Sequence, residues 1–462
     1  MADWSARYGT KEMREIFSEE SKLSRWLLVE GTVAQVQGEL GIIPKSAADT
    51  IKRNANTRRV NPKRVAEIEA RIDHDLLALV NALEEASGKK WGKYVHMGVT
   101  SYDIEDTATA IAITEAMGVI DKRLVNLEKI LLSEAIRWIG LPCAGRTHGQ
   151  HAVPTTYGMK FALWAYDIYL CIERGRHMRN STIHGKISGA VGTMAALGDK
   201  GYELQERVLK RLNIRPALVS NQVVQRDMVA DAVYLCALTS SCIEKIAKEI
   251  RNLQRTEIGE VMEPFSATQA GSSTMPHKRN PHRSERLCSI ARYLRSSVSV
   301  AIENVALEHE RDLTNSANER IILPSSFTLL DYSIKEISEI LSRLEINADM
   351  VKRNLHMLNG VNLAERILLQ LVKSGMGREE AYKLTKGAAF SSYEKNVPFS
   401  DELLRNSKIS GALGSEAIAE LTNPENYLGL SDKIVKSAVK DISANLRIKA
   451  PPYAASRARY KK

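Results

Sequence analysis

The stretch Ile113–Leu131, ITEAMGVIDKRLVNLEKIL, decides the fold. Its apolar residues Ile113, Met117, Ile120, Leu124, Leu127 and Leu131 recur at alternating steps of four and three, the spacing of a helix buried along one seam. The seam returns at Ala232, Cys236, Thr239, Ile243, Ile246, Ile250 and Leu253, and again at Leu287, Ile290, Leu294, Val298, Ala301 and Val305. A fourth helix is expected from about Met159 to Arg179, where Phe161, Trp164, Ile168 and Cys171 share a face. Several helices of roughly 20 to 35 residues within one segment make a long bundle. Before it the helical patterns are shorter and break at Gly41–Pro44, Asn61-Pro62 and Gly88; after it they break at Gly375, Pro398 and Asn423-Pro424. The expectation is an all-α chain of three helical domains, 1–105, 106–350 and 351–462, the central one an elongated long-helix bundle.

Composition agrees. The 462 residues include only 27 Gly and 13 Pro, and 44% are hydrophobic, which disfavours both a turn-rich β protein and disorder. No apolar run approaches the roughly 18 residues of a membrane span; the longest, Val233–Ile243, is interrupted by Thr239, Ser240 and Ser241. The polar, partly acidic start resembles neither a signal nor a transit peptide. Five scattered cysteines without a CxxC read as reduced core thiols of a cytoplasmic protein. The net charge of +10 (65 Lys+Arg against 55 Asp+Glu) is mostly interleaved along helical faces, so an anionic small molecule is expected as partner ahead of nucleic acid.

Three stretches carry chemistry. The loop Gly271-Ser272-Ser273-Thr274-Met275-Pro276-His277-Lys278-Arg279-Asn280-Pro281 precedes the third seam, with Asn280 and Pro281 placed as cap and first residue of its helix. Hydroxyls and cations at a helix N-terminus suit an anion; an ordinary basic loop with a good cap fits the same residues. Gly145-Arg146-Thr147-His148-Gly149-Gln150-His151 flanks an accessible imidazole with glycines. His148 and His151 lack a third ligand at zinc-type spacing, so no metal is expected. Val95-His96-Met97-Gly98-Val99-Thr100-Ser101-Tyr102-Asp103 leads into the first long helix, and Thr100, Ser101 and Asp103 would serve as its N-cap. Upstream, His74 and Asp75 could form a hydrogen-bonded pair.

Together these stretches resemble the signature regions of the fumarase/aspartase superfamily, whose members eliminate fumarate from succinyl compounds. Within it the chain is similar to the branch acting on succinylated purine nucleotides. Arg7-Tyr8, His74-Asp75, VHMGVTSYD, GRTHGQHAVPTTYGMKFALW, GKISGAVGT, Gln222 with QRD, and HERDLTNSANERIILP carry that likeness from residue 7 to about Gly429. Asp73 departs from it, standing where many members have a basic residue. The resemblance implies Ser272 as general base, His148 as general acid, Lys278 and Asn280 on the succinyl carboxylates with Thr100, Ser101 and Ser273 nearby, and His74 as a positioning group with Asp75 fixing its tautomer. It implies nucleotide and phosphate contacts from Arg7, Tyr8, His96, Gln222, Arg311, Ser316 and Arg320, and neither metal nor organic cofactor. It also implies a homotetramer with shared sites. Geometry points the same way, because a helix from about Ile104 to Trp138 would rise roughly 50 Å between Thr100-Ser101 and His148. The alternatives are a sibling lyase or cycloisomerase, of the argininosuccinate or carboxymuconate type, and a non-catalytic helical scaffold.

Overall fold

The computed structural model describes residues 4–265, 274–275 and 277–452. Five long helices dominate: α1 (Ser101–Arg137), α2 (Tyr157–Ser181), α3 (Asp227–Leu253), α4 (His282–Glu303) and α5 (Ser316–Ser342). The seam residues of α1 and α3 are all buried, as are Phe161, Trp164, Ile168 and Cys171 of α2. In α4 the seam ends differently. Ser297 is buried in place of Val298, and Val305 lies beyond the helix end with 50% of its surface exposed. Helix α5 has no counterpart among the seams read from sequence; it runs through Pro324, which removes one backbone donor without ending the helix.

The chain forms two compact units, and each long helix supplies a length to both. Unit one comprises Met1–Leu124, Leu170–Ile243 and Leu287–Lys335; unit two comprises Val125–Tyr169, Glu244–Arg286 and Glu336–Lys462. In unit one the helix Glu19–Glu39 packs on Lys45–Asn54. A Cβ at Gly38 would lie 2.4 Å from the Ala48 Cβ, so glycine is what allows this close approach. Asn61 caps the helix Pro62–Ile72 by accepting from the Lys63 N–H at 3.0 Å, with Pro62 in the first turn. Asp73 closes that helix in the left-handed region at φ 53°, a conformation short polar residues tolerate. A local backbone role therefore accounts for an acidic residue there.

Unit two contains the longest ladder among the described residues, an antiparallel hairpin of β1 (Pro142–Thr147) and β2 (Gln150–Thr156). Helix Ala348–Leu355 packs against β1. Near the C-terminus, short helices bury Ile367, Leu371, Phe399, Leu403, Ile409 and Ile418 in one cluster. The β-hairpin is a local exception to the all-α architecture.

Candidate active site

In unit one the sequence-marked residues are tied together in pairs. Arg320 Nη1 donates to Asp75 Oδ2 at 2.7 Å. Arg311 Nη1 donates to Gln222 Oε1 at 2.8 Å, and its guanidinium sits 3.9 Å from the Tyr102 ring centroid. Burial raises the Tyr102 pKa, and the nearby Ser316 hydroxyl works against that shift. Tyr102, Ser316 and Arg320 line a cavity of about 220 Å³. The buried Arg311 Nε finds no hydrogen-bond partner among the described residues. One face of a cation is thus aimed by Gln222 and the Tyr102 ring while another donor is left over. Burial works to raise the Asp75 pKa, but the hydrogen bond and charge of Arg320 outweigh it and hold this carboxyl below its ordinary range.

Asp103 organises the approach to α1. Three residues into the helix, its carboxylate accepts the Thr100 N–H at 2.9 Å, one half of a capping box. It also accepts the N–H groups of Ser188 at 2.9 Å and Gly189 at 3.0 Å, and pairs with Lys186, both side chains being fully buried. The segments VHMGVTSYD and GKISGAVGT are therefore joined through one carboxylate. That fixes the backbone at Thr100 and Ser101, both half-buried. His96, in the left-handed region at φ 57°, meets the buried Glu30 with Nδ1 at 2.5 Å from Oε1. Burial lowers the His96 pKa, but the adjacent Glu30 carboxylate prevails and the net shift is upward.

The expected His74–Asp75 hydrogen bond is replaced by three other interactions. The His74 Nδ1 stands 3.9 Å from Asp75 Oδ1, too far for a hydrogen bond. Instead it accepts the Leu77 N–H at 3.3 Å as the N-cap of helix Asp75–Trp91, while Asp75 accepts from the Leu76 N–H and from Arg320. An Nδ1 that accepts leaves the proton of the neutral ring on Nε2. Arg7 is exposed beside Tyr8, whose ring meets Tyr332 edge-on at 5.6 Å.

In unit two, His148 and Gly149 form the two-residue turn of the hairpin, at φ 53° and 75°, with Thr147 opposite Gln150. Two successive positive φ angles are those of a type I′ turn. They leave His148 exposed at the tip. Glu260 accepts from the Tyr157 hydroxyl at 2.8 Å and from the Asn354 amide at 2.9 Å, and pairs with Arg146, so one carboxylate ties β1 near the turn to the start of α2. His151 is half-buried; burial first, then Arg146, lowers its pKa.

Lys278 is exposed, with its N–H on the Met275 carbonyl at 3.0 Å. Helix α4 begins at His282, and its cap differs from the expected Asn280-Pro281. Glu263 accepts the Ser284 N–H at 2.7 Å and the Arg283 N–H at 3.3 Å. Two of the donors an anion would use at this helix end are occupied by a protein carboxylate, which the spacing of 20 residues hides from a local reading. Arg283 is engaged by Glu336 at 2.5 Å and Glu339 at 2.9 Å, joining α4 to α5; this accounts for a basic residue just past the loop. Ser272 and Ser273 lie outside the described residues.

A family model described as lyase matches residues 6–294, and one described as adenylosuccinate lyase C-terminus matches 360–438. The adenylosuccinate lyase of Pyrococcus abyssi is 47% identical over 433 residues, 94% of this chain and 96% of its own. That of Methanocaldococcus jannaschii is 44% identical over 437 residues, covering 94% and 95%. The chain belongs to the adenylosuccinate lyase family. Solved structures share the fold of this adenylosuccinate lyase family member. A fumarate lyase from Mesorhizobium sp. BNC1 is 30% identical with a TM-score of 0.86, covering 93% of this chain and 98% of that one. A 3-carboxy-cis,cis-muconate lactonizing enzyme from Pseudomonas putida is 29% identical with a TM-score of 0.87, covering 96% and 99%.

Set beside the family, the sequence reading singled out Arg311, Gln222, Arg320 and Asp75 and left their pairing open. It passed over Lys186 and Glu263. For Asp103 a signal existed, since Thr100-x-x-Asp103 is a capping-box spacing. For Lys186 the signal is chemical: a lysine inside a Gly- and Ser-rich apolar run needs a buried partner. Among the described residues no cluster of three or more His, Cys, Asp or Glu side chains could hold a metal ion, and no helix is long and apolar enough to cross a membrane.

Proposed function

We propose that this lyase releases fumarate by β-elimination from adenylosuccinate, giving AMP, and from the succinylaminoimidazole-carboxamide ribotide, giving the aminoimidazole-carboxamide ribotide, in cytoplasmic purine nucleotide biosynthesis. The observation that carries this reading is the pair of aimed guanidinium groups. Arg311 on Gln222 and Arg320 on Asp75, with Ser316 between them in sequence, suit a phosphate dianion, which a guanidinium fork binds in bidentate fashion. A cycloisomerase or argininosuccinate-type sibling has less support, because its substrate would give that set no phosphate to bind.

The chemistry assigns roles. Ser272 takes the proton from the carbon next to the breaking C–N bond, the electron pair forms the fumarate double bond, and His148 protonates the departing nitrogen. Lys278 and Asn280 neutralise the succinyl carboxylates as charge develops, with Thr100, Ser101 and Ser273 assisting. Because Glu263 occupies the α4 terminus, activation of Ser272 falls to Lys278 and loop amides. His74, presenting an Nε2 proton, positions His148 or the phosphate; Arg7, Tyr8 and His96 complete the nucleotide contacts. No metal or organic cofactor is needed.

The protein acts as a homotetramer with sites shared between subunits, and neither nucleic acid nor membrane is a partner. The 37 residues of α1, about 55 Å at 1.5 Å each, support shared sites, and the domain divisions near residues 105 and 350 belong to the same reading. The direct test is to incubate the protein with adenylosuccinate and follow ultraviolet absorbance. Conversion supports the assignment; an intact substrate overturns it.

A further inference from the structure

Arg320 is approached by two carboxylates. Besides its hydrogen bond to Asp75, its Nη2 lies 3.7 Å from Glu105 Oε2, within ion-pair reach but too long for a hydrogen bond. Glu105 lies one turn into α1 and lines the same cavity as Tyr102, Ser316 and Arg320, with 12% of its side chain exposed. Half of the Arg320 side chain remains exposed, so its unused N–H groups can meet a ligand.

The other cations around this cavity have partners of their own. On helix Glu19–Glu39, Lys22 pairs with Glu19 and Arg25 with Glu115. Arg226, at the head of α3, pairs with Asp106 on α1 and Glu319 on α5. Arg311 is held by the neutral Gln222 and covers the Tyr102 ring, and Tyr102 faces Glu105 as a phenol whose pKa burial raises. Among the described residues Arg320 is the cation within ion-pair reach of both Asp75 and Glu105, while Lys22 acts on Asp75 and Arg311 on Glu105 from farther away. With both ionised, the trio carries one net negative charge where a dianionic phosphate is to bind. One added proton makes it neutral. Asp75 has the direct hydrogen bond and stays ionised, so that proton resides on Glu105. Burial, then the neighbouring Asp75 charge, pushes the Glu105 carboxyl up to about 8.

We infer that Glu105 is a positioning residue for Arg320. Protonated, it leaves the guanidinium free to take the substrate's phosphate; ionised, it competes with that phosphate for the same cation. Binding of the phosphorylated substrate is then coupled to proton uptake, and the coupling is reciprocal. The sign follows directly. Glu105 is neutral below its pKa, so KM is low there and rises as pH passes through it. This inference rests on the assignment of Arg320 to the phosphate.

The test measures KM and kcat from about pH 7 to about pH 9 for the wild type, Glu105→Gln and Arg320→Gln. Each enzyme is given adenylosuccinate and the same compound without its phosphate. One pH unit above the pKa, the wild-type KM for adenylosuccinate should have risen about tenfold. In Glu105→Gln that rise should be absent while the kcat profile keeps its shape, and the unphosphorylated compound should show no difference between the two. Arg320→Gln should lose the preference for the phosphorylated substrate. If it does so while Glu105→Gln keeps the wild-type KM profile, the role of Glu105 is overturned and the phosphate assignment stands. If Arg320→Gln keeps the preference, the assignment falls and the inference with it. A readout on the unaltered protein is calorimetry of AMP binding near pH 8 in buffers of different ionisation enthalpy. Net proton uptake is expected, and its absence overturns the inference.

Discussion

Asp75 and Arg320, and likewise Arg311 and Gln222, are tied to each other side chain to side chain, whereas His148 stands on a two-residue turn and Lys278 in an exposed stretch before α4. The first group is assigned to a phosphate whose charge does not change during the reaction. Holding its partners in place beforehand reduces what must be ordered on binding. The second is assigned to groups that exchange protons with, or follow charge on, a reacting substrate. There the backbone fixes where the residue stands, and the side chain keeps its freedom until substrate arrives.

The strongest challenge to this contrast is His148→Ala. Loss of a general acid should lower kcat by roughly a hundredfold to ten-thousandfold, with little change in KM and an unchanged oligomer. Near-normal turnover would remove His148 from its role. Mixing inactive His148→Ala and Ser272→Ala subunits sharpens the point, because shared sites would restore up to about a quarter of the activity in randomly reassembled oligomers. A mixture that exchanges subunits and stays inactive would place both residues on one subunit.

The next largest effect belongs to the prepaired region. Lys186→Met leaves the fully buried Asp103 carboxylate without its cation and should cost about 3–5 kcal/mol, read from denaturant unfolding. A loss below about 1 kcal/mol would show that the three backbone N–H groups on Asp103 suffice to hold it. The smallest effect is expected at the hairpin tip. Gly149 has φ 75° and nothing crowds its Cβ position, so Gly149→Ala should cost about 1 kcal/mol through backbone strain alone. Its kcat should drop further than that modest loss of stability suggests, because the His148 ring is re-aimed; an unchanged kcat would mean that the turn does not set the imidazole.

Much of the fold was legible because it is periodic. The seams of α1 and α3 follow from spacing, and Asn61-Pro62 announces a helix start through its own chemistry. Helix α5 was hidden by Pro324 and by a polar opening turn that reads as motif, and the hairpin by glycines that read as loop. For the site, residue types were legible and partners were not. Arg311 and Gln222 are 89 positions apart, Arg320 and Asp75 245. Nothing local records such pairings, and His74, adjacent to Asp75, was the nearer and wrong partner to read.

Glu263 has a consequence beyond capping α4. By accepting the N–H groups of Arg283 and Ser284 it brings two points of the chain 20 residues apart within hydrogen-bond reach. Gln254 repeats the junction, accepting the Glu263 N–H at 2.9 Å and donating to the Arg279 carbonyl at 3.0 Å. Chain up to Glu263 and chain from Arg279 onward are therefore held together by three hydrogen bonds, from Arg283 and Ser284 to Glu263 and from Gln254 to Arg279. The entropy cost of bringing two such points together grows only slowly with the length of chain between them. These bonds use only residues outside the intervening stretch, so a change of sequence within that stretch leaves the partners of this junction in place.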